Sequence, residues 1–283
     1  MSKYYCLIAG LPEIRAEEYK LLYNLEEFKE ILKGDLDQKD LDLVMLFYRK
    51  FDNINLLKYL INSDLEPDPR GSITPDMFAE LAKQFKEQEI FKDERFPDYF
   101  RVFIPAFLND KPIYPGLSWE DQLTTLYFNA SIKCRNQFIS EWFEFNLAIT
   151  NIFTAINSRN FTIDLSGTIV GTGELAETIR TSNAKDFGIK PIFSYLDEVM
   201  VIADESNLLE REKKIDLLKW SWIEENVFHH YFSLENIFAY LLQTEIIERW
   251  IILNHETGSK VFKDFVDQLR GSFQFPEEYK LNK

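Results

Sequence analysis

LSWEDQLTTLYFNASIKCRNQFISEWFEFNLAITNIFTAINSRNFTIDLS, residues 117–166, contains neither glycine nor proline. Leu123, Tyr127, Ala130, Cys134, Phe138, Trp142, Phe145, Ile149, Ile152 and Ile156 follow one another at steps of three or four. That spacing puts them on one face of an α-helix. Ser118, with Asp121 three residues later, supplies a start signal. The stripe predicts one very long helix or two nearly collinear ones. About 39 helical residues at 1.5 Å rise would span roughly 58 Å, so an elongated molecule is expected.

Helical signals continue on both sides. Asn24 with Glu27 forms a capping-box pattern, and Gly34 is a plausible stop. Leu41, Val44, Met45 and Tyr48 recur at helical spacing, and Ile54, Leu57 and Ile61 continue after a break near Phe51-Asp52. Leu65 to Gly71 reads as a loop. Thr74-Pro75-Asp76 is a helix start, with a hydroxyl cap, proline at the first helical position and an acid facing the dipole. Four prolines between Pro97 and Gly116 predict an irregular connector. Thr162 to Gly188 is glycine-rich and predicts an exposed loop. Residues 192–257 again lack glycine and proline. Ser206, Leu208, Leu209, Ile215 and Leu218 suit one helix there. Ser233 caps another running through Ile237, Leu241, Ile246 and Trp250, and a last helix follows Thr257 and ends at Gly271. Tyr4 to Ala9 is expected as a short strand or buried lead-in. No segment alternates with period two, so the fold class is all-α, a single domain over residues 1–283.

The chain has 283 residues and a net charge of −15, from 47 acidic and 32 basic side chains. Phosphate backbones and anionic lipid repel such a chain unless a basic patch is segregated. The longest basic cluster, Arg211-Glu212-Lys213-Lys214, is interrupted. Nucleic-acid binding is therefore not expected. No window approaches the ~18 apolar residues of a membrane span, so no direct membrane insertion is expected and the chain reads as cytoplasmic. Twenty-five Phe, 13 Tyr and 5 Trp supply large rings for gaps between helices or for partner sockets. Cys6 and Cys134 lie among apolar residues and read as two free, buried thiols.

Motifs for chemistry are sparse. Gly167, Gly171 and Gly173 precede Glu174-Leu175, where a phosphate loop needs Lys-Ser or Lys-Thr, so a plain loop is expected. His229-His230 has no Glu three residues before either histidine, so the helical carboxylate–histidine metal pattern is not met. No catalytic residue, cofactor or metal is assigned.

One pattern recurs. Phe51-Asp52-Asn53-Ile54, Ile149-Thr150-Asn151-Ile152 and Leu234-Glu235-Asn236-Ile237 each place Asn-Ile after an apolar residue, at or beside an expected helix start or break. Asparagine suits such points because its amide bonds to local backbone that lacks helical partners. Asp52, Asn53, Ile54, Asn151, Ile152, Asn236 and Ile237 are therefore expected as repeat-junction residues. Three approximate repeats, 24–116, 117–190 and 191–275, would surround a central socket.

The segment Phe47 to Leu57 resembles the junction of the C-type stalk protein of V/A-type ATPases, the counterpart of the d-type stalk protein in eukaryotic V-ATPases. Over nearly its full length the chain also resembles a bacterial family encoded among V-type ATPase genes, through Tyr4-Tyr5-Cys6-Leu7-Ile8-Ala9-Gly10-Leu11-Pro12 and Glu141-Trp142-Phe143-Glu144-Phe145-Asn146. The second and third junctions depart from the pattern, holding Thr150 and Glu235 where the first has Asp52. The resemblance implies a non-catalytic central-stalk adaptor. Its partners would be the central shaft subunits, received in the socket, and the membrane proteolipid ring. It would transmit torque and be held peripherally at the inner membrane by the complex. A general helical protein-interaction scaffold and an unrecognised helical enzyme are the alternatives. A deep pocket joining His229 or His230 to several carboxylates would favour the enzyme.

Overall fold

The computed structural model describes residues 4–16, 20–86, 93 and 95–272, with side chains through residue 253 apart from Lys86. The described residues form eleven α-helices and no strand. They are α1 (Tyr5–Gly10), α2 (Leu25–Asp35), α3 (Gln38–Ile61), α4 (Pro75–Lys86), α5 (Phe100–Leu108), α6 (Trp119–Ser131), α7 (Gln137–Asn160), α8 (Glu174–Thr181), α9 (Leu196–Ala203), α10 (Leu208–Val227) and α11 (Leu234–Ser272). None is long and apolar enough to cross a membrane.

Local chemistry sets several of these boundaries. Asn24 and Glu27 complete a capping box at α2, Asn24 Oδ1 accepting from the Glu27 N–H at 2.8 Å and Glu27 Oε2 from the Asn24 N–H at 3.0 Å. Ser118 caps α6 by accepting from the Asp121 N–H at 3.1 Å. Asn207 caps α10. Its Leu208 and Leu209 stay exposed at that end.

The apolar stripe of residues 117–166 is two helices, and they are not collinear. In a straight helix residues 127 and 143 would stand roughly 24 Å apart. Instead the Tyr127 and Phe128 rings meet Phe143 at centroid distances of 5.7 and 6.2 Å. α6 and α7 fold back on each other, because Asn136 starts a new helix by accepting from the Ile139 N–H at 3.1 Å. The long rod is α11, whose 39 residues span roughly 58 Å. It runs unbroken through Thr257-Gly258, where two helices were expected.

Three further expectations are corrected. Residues 4–9 belong to a turn and the short helix α1 rather than a strand; Tyr4 is buried, Leu7 and Ile8 pack half-buried against the main core, and Tyr5, Cys6 and Ala9 are exposed. The proline-rich connector contains α5, with Pro105 inside it. Burial of Phe100, Phe103 and Ile104 outweighs the hydrogen bond that Pro105 cannot donate. The glycine-rich stretch 162–188 is not one loop: it holds a 3-10 turn at Leu165–Gly167 and α8, with Ile169, Val170 and Phe187 buried in the main core, while residues 183–186 form an exposed segment.

The helices recur in order. A 24-residue helix (α3) is followed by a loop, two short helices (α4, α5) and a longer one (α6) that packs back on α3. A second 24-residue helix (α7) is followed by a loop, two short helices (α8, α9) and a longer one (α10) that packs back on α7. α11 then packs on α2, α7 and α10. This succession begins at Gln38 and at Gln137, and the 39-residue α11 follows the second. The main core surrounds α7. A second cluster joins Leu56, Phe78, Phe100, Phe103 and Leu123 beneath α4 and α5.

Candidate functional site

The first two Asn-Ile pairs lie within the long helices rather than at their ends. Asn53-Ile54 is inside α3 and Asn151-Ile152 inside α7, while Asn236-Ile237 sits in the first turn of α11. Their environments differ. Asn53 accepts from the Tyr99 hydroxyl at 2.7 Å. Ile54 is 42% exposed, whereas Ile152 and Ile237 are fully buried. Asn236 reaches the His230 carbonyl at 3.4 Å. Asp52, fully buried, accepts from the Ser72 and Ile73 N–H groups at 2.5 and 2.9 Å and pairs with Arg49 at 3.0 Å.

Asn151 works differently from Asn53. Its amide donates to the Val170 carbonyl at 2.8 Å and accepts from the Val170 N–H at 3.1 Å, clamping the loop that follows α7. The matching residue in α3 is Asn55, which donates to the Asp68 carbonyl at 3.0 Å and accepts from the Asp68 N–H at 2.7 Å. In α11 the corresponding stretch carries Glu248, which accepts from the Leu25 N–H at 3.0 Å. Tyr48 of α3 donates to the carbonyl of the same Leu25 at 2.8 Å. Thus each long helix holds a non-helical or helix-entry backbone segment through a mid-helix polar side chain. On α11 that segment comes from the beginning of the chain. Lys29 completes the first loop by donating to the Pro69, Arg70 and Gly71 carbonyls at 3.3, 3.1 and 2.8 Å.

The same three helices wall a cleft of about 320 Å³, closed by α6 and α10. α3 contributes Phe47, Lys50 and Ile54; α7 contributes Trp142, Phe143 and Asn146; α11 contributes Leu242, Glu245 and Arg249. Asp216 and Lys219 enter from α10, and Glu120 and Tyr127 from α6. Lys50 is ion-paired with Glu245, its ammonium 4.1 Å from the centre of the Phe47 ring. Arg249 is ion-paired with Asp216, which also accepts from Trp250 Nε1 at 2.8 Å. Burial raises the Asp216 pKa above the ordinary carboxylate value, Arg249 opposing it. Among the described residues Lys219 makes no hydrogen bond and no ion pair. Burial of its ammonium lowers its pKa, with Asp216 and Glu245 pulling the other way.

The remaining sequence candidates gather no chemistry. His230 Nδ1 stands 3.7 Å from Glu235 Oε2, His229 is exposed, and neither lines a described cavity. The His255 side chain lies outside the described residues. No group of three or more His, Cys, Asp or Glu is arranged to hold a metal among the described residues. Gly173 precedes α8, and the Gly171 N–H donates to Thr125 Oγ1 at 3.1 Å within the fold. Both cysteines are free, but Cys6 is exposed, since α1 turns Leu7 and Ile8 rather than Cys6 toward the core, and Cys134 is half-buried.

A family model described as a protein of unknown function, DUF2764, matches residues 1–272. The chain belongs to the DUF2764 family. No curated protein and no solved structure matches it. The cleft charges of this DUF2764 chain were missed in the sequence. Their signal was Asp216 with Lys219, and Glu245 with Arg249, at helical spacing within apolar stripes.

Proposed function

We propose that this DUF2764 chain is a non-catalytic adaptor of a rotary V/A-type ATPase, joining the central shaft to the proteolipid ring. The observation that carries the reading is the set of three long helices, α3, α7 and α11, walling one cleft. Each pins a backbone segment from a mid-helix amide or carboxylate. Such a threefold succession is what the resemblance to the C-type stalk protein implies. A stiff body of this kind suits torque transfer.

Exposed rings at the α10–α11 turn, Phe228 and Tyr231, 65% and 70% exposed, with Tyr5 nearby on α1, form the partner-facing surface in this reading. A tagged chain recovered from gently solubilised native membranes should bring down shaft subunits and proteolipid together. Recovery with neither overturns the adaptor reading and leaves a general interaction scaffold, which the same exposed rings would also serve.

A further inference from the structure

The cleft between α3, α7 and α11 is built unlike the rest of the core. Two of its three cations are neutralised by their own partners, Lys50 by Glu245 and Arg249 by Asp216. Lys219 is left over. Its ammonium stands among the cleft walls with no acceptor, while Trp142 and Phe143 supply apolar surface. Lys219 is partly exposed, so its ammonium is reached through the cleft, and a bound anion would supply the charge-assisted hydrogen bond that no protein group makes.

Size limits the occupant. Small-molecule sites run from ~300 to 1,000 Å³, and this cleft, at about 320 Å³, is at the lower end. Charge limits it further. Asp216 and Glu245, with Glu120 on α6, oppose a dianion such as phosphate about twice as strongly as a monoanion, and Lys219 would repel a cation. We propose that the cleft binds a small monocarboxylate with an apolar body, its carboxylate on the Lys219 ammonium and its body against Trp142 and Phe143. The site is separate from the partner surface, and its test needs only the isolated full chain.

That test is fluorine NMR of 4-fluorobenzoate titrated with the full-length protein, with 4-fluorobenzylamine as the cationic counterpart. Saturable binding at about 1 mM or tighter is expected for the benzoate and none for the amine. Lys219→Met should weaken benzoate binding about tenfold or more, the loss of one charge-assisted hydrogen bond. Lys219→Arg, which keeps the charge, should retain binding. Lys133→Met, changed outside this cleft, should bind as wild type does. No saturation for wild type by about 10 mM overturns the assignment. So does unchanged affinity in a Lys219→Met variant with a wild-type melting curve, or equal binding of the amine.

Discussion

Asn151 gives both groups of its amide to a single buried peptide unit, that of Val170. Removing it strands a buried N–H and a buried C=O together. Asn151→Ala should therefore cost about 2–4 kcal/mol, whereas Asn53→Ala, which loses one bond from Tyr99, should cost about 1 kcal/mol. Urea denaturation of the two variants decides it, and equal losses would refute the distinction. Gly71 lies against the same kind of clamp: a Cβ there would press into the Asn55 amide and stand 3.1 Å from Asp52 Oδ1. Gly71→Ala should destabilise by about 2 kcal/mol or more for that reason. Lys219 gives a pH signature. Its folded pKa lies below the ordinary 10.5, so in that window the unfolded chain binds more protons and stability rises with pH. Lys219→Met should be neutral to about 1 kcal/mol more stable than wild type at pH 7, the gain shrinking as pH approaches 10. Paired urea titrations at the two pH values test it, and a gain that grows would contradict it. The repeated Asn-Ile text marked Asn151 but chose Asn53 over Asn55. Matching letters carry no information on which side of a helix a residue faces, and two positions apart means about 200° of rotation.

At the scale of elements, capping chemistry was legible and hinges were not. Asn24, Ser118 and Thr74 each start a helix in the place their neighbours announce. The reversal between α6 and α7 was hidden because both helices bury the same apolar period, so the stripe runs through the turn without a missed step. Only Asn136 punctuates it. Asn136→Ala should cost about 1–2 kcal/mol, since it removes the cap and also the contact to Glu235 at 2.6 Å. α5 was hidden by its proline, because the apolar contacts that override Pro105 come from residues distant in the chain. Lys29 shows the same limit in a loop. A lysine in α2 reads as a solvated charge, yet it is 4% exposed and binds three carbonyls of the loop that follows α3. Lys29→Met should loosen residues 68–73, seen as faster amide exchange at Gly71 and Ser72 and a loss of about 2–4 kcal/mol. Unchanged exchange there would show that Asn55 and Asp52 suffice.

For the whole molecule, the sequence disclosed an all-helical body with a recurring pattern, but not the cleft, which exists only where three distant helices meet. The partner surface proposed above belongs to this scale too. Phe228→Ser with Tyr231→Ser should reduce recovery of partners from membranes severalfold while leaving the melting temperature within a few degrees, because both rings face solvent. Full recovery would move the contact elsewhere. The bond between Glu248 and Leu25 bears on how the protein is made. Its ends are 223 positions apart. As the chain leaves the ribosome, Leu25 must wait for 223 further residues before the acceptor on α11 exists. Closure over so long a separation is slow. Refolding from urea should therefore lag behind helix formation, and the nascent chain should depend on chaperones until α11 has emerged.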